Sequence, residues 1–186
     1  MIRFWDFKLT GAPPLLSCVV RRANFLLRWS KLVTARQPSP NAQFSAFLSR
    51  FPPEIVALVK RCLPKLRRAF PVSYELVYDY SNSLVVSFSM SERGYEAIVA
   101  IAIFPRWVRL YFDKSLPDPQ GLLEGSGAKV RSLTLKAASD LDHGDIQALF
   151  KAAIKHSGIT FPRTGSTRMV IKSESKKRRP RSTGDA

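Results

Sequence analysis

Lys129 and Arg131 follow three glycines, Gly121, Gly125 and Gly127, in the stretch LPDPQGLLEGSGAKVRSL at 116–133. Glycine followed by lysine is a common way for a chain to cradle a phosphate. A phosphate loop needs G-x-x-x-x-G-K-[ST] with a helix behind it, so that amides and helix dipole converge on one anion. Here Gly121 and Gly125 are too close, Ala128 separates Gly127 from Lys129, and Val130-Arg131-Ser132-Leu133 reads on as a strand. A dinucleotide fingerprint fails for the same want of a following helix. The glycines therefore predict a long strand-to-strand connection with positive φ angles. A backbone nest for an anion is the alternative that stays open.

A second constellation lies on strands. In Trp107-Val108-Arg109-Leu110-Tyr111-Phe112, alternation sends Val108, Leu110 and Phe112 to one side, the expected core face. Trp107, Arg109 and Tyr111 share the other side, while Lys129 and Arg131 share a face with Leu133 and Leu135. If these strands are neighbours, Trp107, Arg109, Lys129 and Arg131 form an aromatic and basic surface that can stack bases and hold phosphates. Asp118, Lys129 and Arg131 together would suit a small anionic ligand, bound or turned over. The bland counterpart covers the rings with a helix or with a second subunit, as a homodimer through the outer sheet face, and leaves arginine packed along them.

A third group is KKRRPR at 176–181, where Lys176, Lys177, Arg178, Arg179 and Arg181 resemble a nucleic-acid or nuclear-import patch. Clustered cations bind polyanions by counterion release, which salt weakens. A solvated, idle tail is the competing reading.

Support for catalysis is thin. His143 and His156 lie on no ligand motif, and no serine, histidine and carboxylate cluster is legible. Asp79, Asp113, Asp118 and Glu124 can meet at one end of a sheet, but acids beside turns usually bond backbone amides. No metal or cofactor motif is present in the sequence. Cys18 and Cys62 are far apart, which fits neither a disulfide framework nor zinc and points to a reducing, cytoplasmic setting.

The elements that must position these groups follow from periodicity. Residues 1–43 form a basic extension with a candidate amphipathic helix over PLLSCVVRRANFLLRWSKLV and an extended linker at Gln37-Pro38-Ser39-Pro40. No apolar run reaches membrane-spanning length, because Arg21-Arg22 interrupts the best candidate. An organelle presequence and a translated leader both fit this extension. An ordered domain is expected over 44–157. It starts with a short helix carrying Phe44, Phe47, Leu48 and Phe51. A second helix from Pro53 carries Ile55, Leu58, Val59, Cys62, Leu63, Leu66 and Phe70, with a kink or break predicted at Pro64. ELVYDY, SLVVSFSM, YEAIVAIAIF, WVRLYF and VRSLTL then alternate as strands, and LDHGDIQALFKAAIKHS returns to helical spacing. This order predicts an α+β fold, an antiparallel sheet of about five strands with helices packed on it. Residues 158–186 read as a basic, disordered tail.

The net charge of +16 is uneven. Residues 1–43 carry seven Lys/Arg against one acid, 44–157 fifteen against eleven, and 158–186 eight against two. The charge favours an anionic macromolecule, nucleic acid included, as partner, with another protein as the alternative.

ELVYDYSNSLVVSFS, FPRWVRLYF, LPDPQGLLEGSGAKVRSL and DLDHGDIQALFKAAI, in that order, resemble the bacterial YdhG-like family, a domain of unknown function, over about 44–157. The resemblance implies a compact α+β domain similar to frataxin and YjbR-like folds, and an intracellular iron-chaperone role for some members. In frataxin-like proteins the implied iron surface is an acidic ridge on the first helix. Here that helix has Glu54 against Lys60, Arg61, Lys65, Arg67 and Arg68, which would repel iron ions. The expected function is a non-catalytic binding module.

Overall fold

The computed structural model describes residues 38–161 and 167–174. Apart from Pro38, these belong to one compact unit, Ser39–Ala186. The basic helix expected over 14–33 and the tail cations Lys176, Lys177, Arg178, Arg179 and Arg181 lie outside the described residues.

Helix α1, Pro40–Leu48, starts before the expected Phe44. Ser39 Oγ accepts the Ala42 N–H at 3.3 Å, and Pro40 takes the first helical position, where a missing N–H is harmless. Ser39-Pro40 thus opens a helix rather than extending a linker. Helix α2, Pro53–Ala69, buries Ile55, Leu58, Val59, Cys62, Leu63 and Leu66. The break expected at Pro64 does not occur. Pro64 lies on the exposed side, where the carbonyl it leaves without a donor, at exposed Lys60, can bond to water. Glu54 in the first turn and Arg67 and Arg68 in the last complement the helix dipole.

Strands β1 (Tyr74–Asp79), β2 (Leu84–Ser89), β3 (Ala97–Ile103), β4 (Val108–Asp113) and β5 (Val130–Leu135) form the expected antiparallel meander. A sixth strand, β6 (Arg168–Ser173), adds parallel to β1, giving the order β5-β4-β3-β2-β1-β6. For these residues the expectation of a disordered tail is corrected. Met169 and Ile171 pack against the core, and the free edge of β1 supplies the ladder that a lone polar segment lacks. Helix α3, Gly144–Ser157, precedes β6, with Asp145 in its first turn and Gly158 closing it at φ 65°.

One face of the sheet holds Val77, Val86, Phe88, Ile101, Leu110 and Phe112, packed with Val59, Cys62 and Leu66 of α2 and Phe150 of α3. Register puts Glu75 and Asp79 on this same face, since Glu75 is opposite Phe88 and Asp79 opposite Leu84. Both acids are buried and each meets an arginine. Arg67 donates from Nε and a terminal nitrogen to the two Glu75 oxygens at 2.6 and 2.8 Å, and Arg50 donates to Asp79 at 3.1 Å. No described helix is long and apolar enough to cross a membrane.

Candidate functional site

The pairing of β4 with β5 decides the fate of the expected aromatic and basic surface. Arg109 stands opposite Thr134, whereas Arg131 stands opposite Phe112 and Leu135 opposite Val108. Paired residues share a face, so Arg131 lies on the core side and Arg109 on the outer side. The face shared by Arg131, Leu133 and Leu135 is the inner one, and Lys129 lies just before β5, outside the paired register. Sequence alternation grouped each strand correctly, but the register between them separates Arg109 from Arg131.

Arg131 serves the loop instead. It donates to the Leu116 carbonyl and sits 3.6 Å from Asp118, whose carboxylate is almost wholly buried. Asp118 in turn accepts the N–H groups of Leu122 and Leu123 at 3.0 and 2.8 Å. Gly121 and Gly125 take φ values of 65° and 111°, as a turning connection requires. Glu124 and Ser132 exchange backbone hydrogen bonds at 2.8 Å, pinning the returning loop to the outer edge of β5. Lys129 is exposed beyond this frame, and its carbonyl accepts the Lys114 N–H at 3.0 Å. Asp118 and Arg131 therefore hold the loop together. Tyr111 is half-buried on the outer face, opposite Ala100 and Ser132.

Trp107 keeps a different company. It lies in the β3–β4 turn, where the Phe104 N–H bonds to its carbonyl at 2.9 Å. Its ring is 42% exposed, packs on Phe104 at 5.9 Å, and has the Arg109 guanidinium 5.7 Å from its centroid. This ring lines an open groove of about 780 Å³ between α2, the β3–β4 turn and the chain after β5. Arg61 and Lys65 line one wall, Arg106 stands beside Trp107, and Lys136 faces in from the segment after β5. Apolar Ile55, Leu58 and Leu135 also line it, and Glu54 is its one acid. The spacing 54, 58, 61, 65 is one stripe of a helix, which is why α2 presents Arg61 and Lys65 together. Lys136 is fixed by Asp140, whose carboxylate accepts the N–H groups of Lys136 and Ala137 at 2.8 and 2.9 Å. Lys65 also pairs with Asp142. The stripe on α2 was readable in the sequence, but nothing there announced that Arg106 and Lys136 would join it.

A second concavity, about 440 Å³, opens at the C-terminal end of α3 and includes Asp113 and His156. Ser115 joins them: its hydroxyl lies against Asp113 Oδ1 and 3.0 Å from His156 Nε2. These are serine, histidine and carboxylate, yet in the wrong order. A nucleophilic triad places the imidazole between the other two. Here the serine hydroxyl stands between the carboxylate and the imidazole, so the imidazole does not occupy the middle position of such a triad. The Ser115 hydrogen bonds, aided by His156, hold Asp113 below the usual carboxylate range. Burial pushes the Cys62 thiol up to about 11, which leaves it protonated and unreactive. Among the described residues no three His, Cys, Asp or Glu side chains gather as a metal set.

Comparison with family models, with curated proteins and with solved structures found no match.

Proposed function

We propose that this protein is a binding module for a polyanionic partner, engaged through the groove between α2 and the β3–β4 turn. The observation that carries the reading is the convergence of Arg61, Lys65, Arg106 and Lys136 on one concave surface beside an exposed tryptophan. Cations on several elements raise the local potential more than the same charges dispersed. The cations in the terminal segments would add affinity. This proposal keeps the polyanionic partner expected from the sequence and assigns it a different set of residues, in place of Lys129 and Arg131.

The α+β order of two helices, an antiparallel meander and a helix supports the proposed YdhG-like membership. The buried free thiol of Cys62 supports a reducing, cytoplasmic setting.

Titration of a labelled polyanion at two salt concentrations tests the function. The full chain should bind more weakly at the higher salt, and Arg61→Glu/Arg106→Glu/Lys136→Glu should weaken binding further while the terminal segments stay unchanged. Equal affinity of this variant and the parent would overturn the assignment of the groove.

A further inference from the structure

We infer that the groove takes single-stranded nucleic acid, with a base lying on Trp107 and neighbouring phosphates on Arg61, Arg106 and Lys136. This rests on the polyanion reading above and adds to it the chemistry of the repeating unit.

A polyanion without rings needs cations alone, and an exposed indole gives it nothing. Trp107 is nonetheless the large apolar side chain that lines the groove while 42% exposed. Two neighbours fix its position: Phe104 packs against it at a tilt, and the Arg109 guanidinium lies over one ring face. A ring held in this way is a ready stacking platform, and the cation beside it strengthens contact with an electron-rich base. Arg109 thereby has a positioning role on the outer face, although register denies it the company of Arg131.

The shape favours one strand over two. Bases in a duplex are stacked on each other and unavailable to a side chain, whereas an unpaired strand offers base and phosphate in alternation. The groove offers both, an exposed indole from the β3–β4 turn and cations from α2, that turn and the segment after β5. Its apolar lining by Ile55, Leu58 and Leu135 offers a base no hydrogen-bonding groups, and stacking on Trp107 is tolerant of sequence. Glu54 repels phosphate at the start of α2 and Lys65 is paired with Asp142, which leaves Arg61 as that wall's phosphate contact.

Fluorescence anisotropy with a labelled oligothymidylate of about 15 nucleotides, long enough for one site, provides the test on the full chain. The matching duplex and inorganic polyphosphate serve as competitors. Trp107→Ala should weaken oligothymidylate binding by about 5- to 140-fold, the loss of one base–aromatic stack, and leave competition by polyphosphate unchanged. Trp107→Phe should restore most of the affinity. Oligothymidylate should also quench tryptophan emission in the parent, with that quench largely lost in Trp107→Phe although binding persists. This second readout holds even if the alanine variant fails to fold. A duplex that competes as well as the single strand, or an absent quench, overturns the inference. If Arg61→Ala/Arg106→Ala/Lys136→Ala weakens polyphosphate and oligothymidylate alike while Trp107→Ala changes neither, the polyanion reading stands and this inference falls. If the triple variant changes nothing, both fall.

Discussion

Replacing Arg67 by alanine should cost more stability than replacing Glu75, although the two side chains are partners in one ion pair. The difference lies in where each is left. The Glu75 side chain is 3% exposed, on the core face of β1, while that of Arg67 is 44% exposed at the end of α2. Removing Arg67 strips both carboxylate oxygens of the donors at 2.6 and 2.8 Å and strands a charge among apolar groups. Losing one partner of a buried pair in this way costs about 3–5 kcal/mol. Removing Glu75 leaves an arginine that can swing into water, so the loss is confined to the charge-assisted hydrogen bonds, about 1.5–3 kcal/mol. Arg67→Met/Glu75→Leu, which removes both charges and keeps volume, should recover most of the deficit of Arg67→Ala. Urea unfolding of the full chain, followed by circular dichroism, measures all three. The reasoning is refuted if Arg67→Ala is no more destabilising than Glu75→Ala, or if the double variant is no better than Arg67→Ala.

A methyl group at Gly94 would collide with the Tyr78 hydroxyl, and Tyr78 is itself stacked on Tyr80 at 6.2 Å. Gly94→Ala should therefore destabilise by about 1–3 kcal/mol, and adding Tyr78→Phe should offset part of that in thermal unfolding. Asp113 has a depressed folded pKa, so its contribution to stability is present above the ordinary carboxylate range and fades as pH falls through the folded value. A melting-temperature profile against pH should show that acid-side loss reduced in Asp113→Asn. The raised Cys62 pKa has the opposite consequence for a thiol: stability is unaffected below the ordinary value of 9.0 and falls above it. In a Cys18→Ser background, iodoacetamide should label Cys62 only when denaturant unfolds the chain, and prompt labelling in buffer would contradict its burial.

The helices and five of the strands were legible because each carries its own period. Phe44, Phe47 and Leu48 mark α1, the stripe from Ile55 to Leu66 marks α2, and Val108, Leu110 and Phe112 mark the core side of β4. β6 was not legible. Its Met-Val-Ile centre is short and flanked by polar chain, and the partner that makes it a strand is β1, far back in the sequence. The candidate site failed at the same step. Arg131 and Arg109 each sat on the right face of their own strand, but only the offset of Leu135 against Val108 reveals that the two faces are opposite. Arg61 and Lys65 were visible as a cationic helix; Arg106 and Lys136 needed the tertiary fold to reach them.

The parallel pairing of β6 with β1 also sets a schedule for synthesis. β1 is made early, and among the described residues its outer ladder of N–H and C=O groups has no strand partner until Arg168–Ser173 emerges. Until then the nascent sheet presents an open edge, the kind of template on which chains aggregate. Once β6 docks, it places Arg168 and Lys172 on the strand that borders solvent. A ribosome stalled between α3 and β6 would thus release a chain with its helices and meander complete and its most adhesive strand uncovered.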